Sequence, residues 1–321
     1  MRKSINERII FFGRNKDYNI TLLCFRELLK AIKNSNHEIV LTVVSDDNHR
    51  RRNTLEELAK RDKIPFTSIL ENNVNDPKFL KKIKKLNPTI FVTVQFPKIY
   101  SEKLIMIPEK CCVNLHRGWP LRGGSIDERA IYHKLNRYYV ILHHITPGID
   151  DGNIIGRKSF QLGRKENGHS LVKKCDNVGR LVFKKYLIPY LGKKIPKGRK
   201  QNKQKTTYAN KGILNNEIKF TEKAESIERL SRAFFHPRKN GAVIKTLKGE
   251  IILMPPIKIL NKKRIESPGK IIRCDESGVK ISTMDKIISI NQCIHNGKKQ
   301  KANKIFTQLN FDVGDSILLQ T

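Results

Sequence analysis

Acidic side chains are scarce in this chain of 321 residues: 30 Asp and Glu stand against 64 Lys and Arg, a formal net charge of +34. Long apolar runs are missing too. Those present, such as Ile251-Ile252-Leu253-Met254, fall far short of the ~20 residues a spanning helix needs, which excludes an ordinary transmembrane protein. No C-x-x-C pair occurs among the six cysteines, and adjacent Cys111 and Cys112 point to opposite faces if they lie in a strand. That is poor geometry for a metal, so Cys24, Cys111, Cys112, Cys175, Cys274 and Cys293 read as packed thiols and no metal is expected. The phosphate-loop pattern G-x-x-x-x-G-K-[ST] is absent, so Gly118, Gly123 and Gly124 do not form one. The amino-terminal stretch has no apolar signal segment; Met1-Arg2-Lys3 leads straight to Ile9-Ile10-Phe11-Phe12, and a cytosolic protein is expected.

Hydrophobic residues make up 38% of the chain, enough for real cores. Length suggests two domains at roughly 150 residues each. Residues 1–192 carry a net +17, and the shorter 193–321 also carries +17, so positive charge is denser in the second part. A polyanionic partner such as RNA would account for it. AT-rich coding, with its surplus of Lys, Asn and Ile, is the alternative; it explains the lysines better than the shortage of acids.

The first half alternates strand and helix signals. Ile9–Phe12, Glu38–Val44, Thr89–Val94 and Cys112–Leu115 read as strands. Ile20–Ile32, Thr54–Arg61 (with Thr54 as N-cap) and the very basic Asp76–Leu86 read as helices. The alternation predicts a doubly wound, mostly parallel α/β sheet of Rossmann-like type, with ligands beyond the carboxyl ends of its strands. Tyr138–Ile145 and Ile154–Leu162 look like further strands, and Ser170–Leu187 like a helix. Lys193–Lys205 then holds seven basic residues in thirteen, with no acid, and reads as a linker. Beyond it come a helix at Ala224–Phe235 and closely spaced β runs at Ala242–Leu247, Ile251–Leu253, Lys270–Arg273, Val279–Thr283 and Lys286–Ile290, predicting a small OB-like β-barrel or sandwich. The expected domains are 1–192, a basic linker 193–210, and 211–321.

Asn114 and His116 stand two apart at the end of a predicted central strand, hence on one face. A carboxamide and an imidazole at the carboxyl edge of a sheet can stabilise an oxyanion and move a proton; they can equally be polar groups leaving a strand. Pro147-Gly148-Ile149-Asp150-Asp151-Gly152 is a turn with paired carboxylates. Such a turn is usually only a turn. Folded back over Asn114 and His116, it would supply a carboxylate to orient the imidazole and raise its pKa. His143 and His144 read as strand residues rather than metal ligands.

Asn114-Leu115-His116, then Arg122-Gly123, then Ile149-Asp150-Asp151-Gly152 resembles the ordered signature of the folate-dependent formyltransferases. Phe91–Tyr100 looks like the strand and loop before it. Ile227–Phe234 resembles the Arg-Ala-Phe helix that opens the C-terminal domain of the methionyl-tRNA formyltransferases, and Pro268–Ile272, Ile281–Ile290 and Phe311–Leu319 resemble that domain's barrel. The resemblance implies Asn114, His116 and Asp150 as the catalytic trio, 10-formyltetrahydrofolate as donor, and a primary amine as acceptor. It places the donor near Val94, Gln95, Phe96, Gly148 and Ile149, and makes Arg50, Arg51, Arg52, Arg117, Arg122, Lys197, Arg199 and Lys200 candidate acceptor contacts.

Three departures bear on the acceptor. Only Arg117–Leu121 separate His116 from Arg122-Gly123, a shorter stretch than the family's usual one. Ile141 stands where the family usually has Thr. The loop at Asp46–Asn53 is short where tRNA-acting members insert a long basic one. Methionyl-tRNA matches the charge; a nucleotide-linked amino sugar matches the shortened loop; an inactive RNA-binding relative of the fold is a third reading. Charge favours tRNA.

Overall fold

The computed structural model describes residues 6–15, 19–45, 54–69, 73–209, 214–236, 241–263 and 266–317. Two compact units divide them: 1–123, 137–161 and 173–209 form the first, and 124–136, 162–172 and 210–321 the second. The segment expected as a linker, up to Ala209, thus belongs to the first unit.

In chain order the elements begin β1 (Arg8–Arg14), α1 (Asn19–Ile32), β2 (Glu38–Ser45), α2 (Leu55–Arg61), β3 (Phe66–Ile69), α3 (Pro77–Lys84), β4 (Ile90–Val94) and the short α4 (Glu102–Ile105). They continue with β5 (Cys111–Trp119), β6 (Leu121–Gly123), α5 (Ile126–Tyr132), β7 (Arg137–His144), β8 (Ile154–Gln161), α6 (Gly168–Tyr186) and β9 (Thr207–Ala209). The main sheet has the order β3-β2-β1-β4-β5-β7-β8. Its first five strands are parallel, and β7 and β8 join antiparallel, so the expected parallel sheet carries an antiparallel edge.

Local chemistry explains the helix starts. Thr54 caps α2 in a capping box: its hydroxyl accepts from Glu57 N at 3.2 Å, and Glu57 accepts from Thr54 N at 2.9 Å. Asp76 caps α3, with Pro77 pre-set in the first turn. β1, β2 and β4 read as unbroken apolar runs because both faces are covered. On one face Ile10, Phe12, Val40, Phe91, Tyr100 and Leu104 share a cluster. On the other, Phe11 meets Phe25 of α1 edge-on at 4.9 Å. Gly179 of α6 lies so close to Ile20 and Leu115 that a Cβ would come within 2.3 Å of Ile20, so glycine lets α6 sit tight there.

The second unit adds α7 (Ala224–Phe234), eight strands and α8 (Ala302–Gln308). The strands are β10 (Ala242–Thr246), β11 (Gly249–Leu253), β12 (Lys258–Lys263), β13 (Ile271–Asp275), β14 (Gly278–Ser282), β15 (Lys286–Ile290), β16 (Gln292–His295) and β17 (Lys298–Lys301). They make two four-stranded antiparallel sheets, β10-β11-β16-β17 and β12-β15-β14-β13. Ile244, Ile251 and Leu253 from one and Val279, Ile281 and Ile288 from the other share a core with Ile227 and Leu230 of α7 and Phe306 of α8. Phe311–Ile317 is not a strand; it contributes one isolated bridge, Ser316 to Lys270.

One buried carboxylate ties the first described residues to three later segments. Glu7 is 2% exposed and accepts from Lys110 Nζ at 2.5 Å, Thr89 Oγ1 at 2.5 Å and Gly192 N at 2.9 Å. Removing one partner of such a pair strands the other charge. Glu7→Ala should cost about 3 kcal/mol, read as a lower urea midpoint; an unchanged midpoint would refute the tie.

Candidate active site

β5 is the central positioning element. Asn114 pairs with Thr93 of β4 on one side and with His143 of β7 on the other; His116 pairs with Ile141. Alternation puts Asn114 and His116 on one face, and the antiparallel partner brings His143 beside them. The chain after β7 then turns so that Asp150 comes over this group. Gly152 permits the turn: a Cβ there would stand 1.9 Å from the His144 carbonyl oxygen. Asp150 itself adopts φ 50°, the left-handed region that short polar side chains tolerate best after glycine.

Four polar side chains converge. Asp150 Oδ1 lies 3.4 Å from His116 Nδ1, 3.3 Å from Asn114 Nδ2 and 3.7 Å from His143 Nε2. Its Oδ2 accepts from Gly123 N at 3.4 Å. Asp151 turns elsewhere, accepting from Thr146 Oγ1 at 2.5 Å. The structure thus groups Asp150, and not Asp151, with Asn114 and His116.

Carbonyl oxygens fix the tautomers. His143 Nδ1 is 2.7 Å from His144 O and must donate to it, so Nε2 accepts from Asn114 Nδ2 at 3.2 Å. His116 Nε2 is 3.0 Å from Leu121 O and donates to it. That leaves Nδ1 facing the Asp150 carboxylate. Nδ1 of the neutral ring and an ionised Oδ1 attract only once a proton lies between them, so the pair is arranged to take up one proton.

Burial pushes His116 below the ordinary imidazole range, with the Asp150 carboxylate opposing. Burial also works against the charge on Asp150, but His116, His143 and the Gly123 N–H outweigh it and hold the carboxyl well below the usual carboxylate range. A neutral imidazole beside an ionised carboxylate is the base form of an acid–base pair.

The remaining expected residues spread more widely. Val94 ends β4 opposite Leu115, and its carbonyl accepts from Thr21 Oγ1 at 3.3 Å; Gln95 then leaves the strand at φ 57°. The Phe96 ring lies 5.4 Å from Phe12 and 6.1 Å from Tyr100, as part of a wall. Gly148 is exposed and Ile149 half-buried. Arg122 Nη1 donates to Ile149 O at 3.4 Å, joining two expected segments. Arg117 is only 7% exposed, a buried residue of β5. Lys197, Arg199 and Lys200 are exposed. Arg50, Arg51 and Arg52 lie outside the described residues. Among the described residues no three His, Cys, Asp or Glu side chains are grouped to hold a metal ion, and no helix is long and apolar enough to cross a membrane. Burial raises the Cys111 thiol to about 12, which makes it inert as a nucleophile.

His143, Leu121 O and Gln201 are contributors that sequence reasoning missed. His143 was visible only as a strand residue; its part depends on register. Gln201 sits in the basic run with no local signal, yet its Nε2 donates to Asp150 O at 2.9 Å and Gly152 O at 2.8 Å.

Residues 8–186 match the formyl transferase family model, and residues 214–310 match that of the formyl transferase C-terminal domain. The chain belongs to the formyltransferase family and is a formyl-transferring enzyme. A relative from Clostridioides difficile (strain 630), called methionyl-tRNA formyltransferase, is 26% identical over 91% of this chain and 94% of its own length. One of the same name from Sulfurihydrogenibium sp. is 30% identical over 80% of this chain and 84% of its own. Among solved structures, an N-formyltransferase from Helicobacter canadensis in complex with folinic acid and dTDP-3-aminofucose superposes with a TM-score of 0.62 at 19% identity, covering 88% of this chain and 99% of that one.

The electrostatics of the cluster can be tested directly. His116 should titrate below 6.5, the ordinary value. Asp150→Asn removes the charge that holds its pKa up and should lower it further, whereas Asp151→Asn should leave it in place. An NMR titration of the His116 ring in the three proteins would check this; equal shifts in both variants would put the wrong carboxylate beside the imidazole.

Proposed function

We propose that this enzyme transfers the formyl group of 10-formyltetrahydrofolate to the amino group of methionyl-tRNA in the cytosol, with Asn114, His116 and Asp150 as its catalytic groups. The convergence of Asn114 and His116 on Asp150 Oδ1 carries the reading. The donor fits the carboxyl edge of β4: Val94 is beside Leu115 in the sheet, one residue from His116, and Gln95 turns the backbone outward there. A donor seated along Val94–Phe96 and Gly148–Ile149 would bring its formyl carbon toward the cluster.

The acceptor amine attacks that carbon in its neutral form. An N–C bond forms and the carbonyl oxygen becomes an oxyanion. Asn114 and the His116 Nε2–H are the donors for it. In the resting site those hydrogens are held by His143, Asp150 and Leu121 O, so substrate entry exchanges one set of acceptors for another. The proton lost by the attacking nitrogen is taken up between His116 and Asp150. Collapse of the oxyanion breaks the bond from carbon to the folate nitrogen, and that nitrogen leaves with the proton. His116→Ala should lower turnover by about two to four orders of magnitude without loss of the fold; near-normal turnover would refute the role.

The relatives' names and the net charge of +34 support tRNA as the acceptor. The short Arg117–Leu121 stretch and the sugar-nucleotide complex of the structural neighbour are the observations on the side of an amino sugar. Supplying 10-formyltetrahydrofolate and comparing formylation of methionyl-tRNA with that of amino-sugar nucleotides separates the two; formylation of the sugar alone would replace this acceptor.

Lys197, Arg199, Lys200 and Lys203 are exposed on the first unit. If they meet tRNA phosphates, changing all four to Gln should weaken binding and reduce the salt slope of log K by up to about 4, near one unit per contact. Superimposable salt titrations of the two proteins would remove this strip from the tRNA footprint.

A further inference from the structure

We infer that Gln201 is a positioning residue for the reaction: its buried carboxamide, held by Trp119, clamps the two carbonyls that flank the Asp150 turn and so fixes where the Asp150 carboxylate points. The inference rests on the catalytic reading of Asp150 given above.

Gln201 is 7% exposed in the middle of a run of exposed cations. A carboxamide is costly to bury unless its hydrogen bonds are made. Both ends of this one are hydrogen-bonded, and its NH₂ is directed at the site. Nε2 donates to Asp150 O and Gly152 O, at 2.9 and 2.8 Å, and Oε1 accepts from Trp119 Nε1 at 3.1 Å. Both hydrogens of one NH₂ group are therefore committed to a three-residue stretch of main chain.

That stretch needs holding. Asp150 sits at φ 50°, a region that costs a non-glycine residue free energy and persists only where surroundings enforce it. The Asp150 side chain makes long contacts, 3.3 to 3.7 Å, to Asn114, His116 and His143. These are longer than the two bonds by which Gln201 holds the Asp150 and Gly152 carbonyls. The clamp is rigid in its own right. Trp119 ends β5, the strand that carries Asn114 and His116, so Gln201 is referenced to the same strand as the groups Asp150 must meet. Its neighbours are fastened as well. Arg199 and Ile154 exchange two main-chain bonds of 2.8 Å, Asn153 Nδ2 donates to Lys197 O at 3.1 Å, and β9 pairs with β6 in parallel. The segment after residue 192 thus works as a strap across the Asp150 turn. It keeps its cations in solvent and turns this one amide inside.

The test uses the full chain. Gln201→Ala removes the clamp, and Gln201→Glu replaces the donor with an acceptor of the same size. Both should lower kcat by about 10²-fold, the effect of a misplacement near 1 Å, while the KM for the formyl donor holds. Trp119→Phe, which removes the indole N–H that steers Oε1 along with part of the ring that packs on Tyr139 and Arg157, should move kcat the same way by less. The decisive readout needs no acceptor at all: the NMR titration of His116. Burial lowers its pKa, the Asp150 carboxylate and the Leu121 carbonyl raise it, and His143 and Arg117 lower it; with the ring still buried, loss of the Asp150 carboxylate from its place should lower it in both Gln201 variants toward its value in Asp150→Asn. A merely structural glutamine would lower the melting temperature and leave that titration unmoved. An unmoved His116 titration, or a kcat equal to that of the parent in folded Gln201→Glu, would overturn the inference. Failure of the acceptor assignment would show instead in the parent protein, as absent tRNA formylation, with the His116 shift intact.

Discussion

The antiparallel pairing of β7 onto β5 is the constraint on which the site depends. A parallel partner would have to return along a long crossover and would leave the carboxyl edge of β5 open. The antiparallel one runs back beside β5 and sets His143 opposite Asn114 and Ile141 opposite His116. It also ends where the next turn must start, so the Asp150 loop is delivered to the two polar residues by the register itself. Gly152 lets the chain pass the His144 carbonyl, and the strap through Gln201 holds the turn once it is made.

Burial gives this group its chemistry. Exposed to water, an imidazole and a carboxylate separated by 3.4 Å would interact weakly. Enclosed, the imidazole is disfavoured in its charged form, while Asp150 stays ionised through the donors around it. The result is a place for one proton between two heavy atoms. The same enclosure leaves no spare donor: every hydrogen on Asn114 Nδ2 and His116 Nε2 already has an acceptor. A substrate oxygen entering such a site has to displace one of these acceptors.

What the sequence made legible follows from how each feature is encoded. β1, β2 and β4 are apolar on both faces and announce themselves. β3 lies at the sheet edge as Phe66-Thr67-Ser68-Ile69, with two hydroxyls in four residues, and β17 is Lys-Lys-Gln-Lys; neither carries a strand signal. α5 was hidden because Asp127, Glu128 and Arg129 are buried there, against the usual rule for charged residues. Asn114 and His116 were legible from a spacing of two. Asp150 could be chosen over Asp151 only through the resemblance, since a turn's spacing does not say which carboxylate faces inward. His143 needed a strand register, and Gln201 is about fifty residues from the turn it holds. Neither kind of long-range fact has a local signature. The basic run 193–205 was read from composition as a solvated linker; its backbone partners, not its charges, make it part of the first unit.

The short stretch from Arg117 to Leu121 bears directly on the geometry of His116. After His116 the chain has only five residues in which to pass the register irregularity at Gly118 (φ 108°), end β5 at Trp119 and enter β6 at Leu121. That brings Leu121 O to 3.0 Å from His116 Nε2. The imidazole is thereby fixed as the Nε2–H tautomer before any substrate arrives, with Nδ1 turned to Asp150. A longer loop could reach over the acceptor and shape a pocket for it. This one holds the His116 ring through the Leu121 carbonyl, and under the proposed function recognition of the acceptor would draw on other parts of the surface. The cations on the strap are suitably placed in the chain for such recognition, because they stand on the same few residues whose main chain holds the Asp150 turn. An anionic acceptor drawn to Lys197, Arg199 and Lys200 would bear on the turn through bonds only one or two residues long, which makes the strap a point where binding and proton transfer meet.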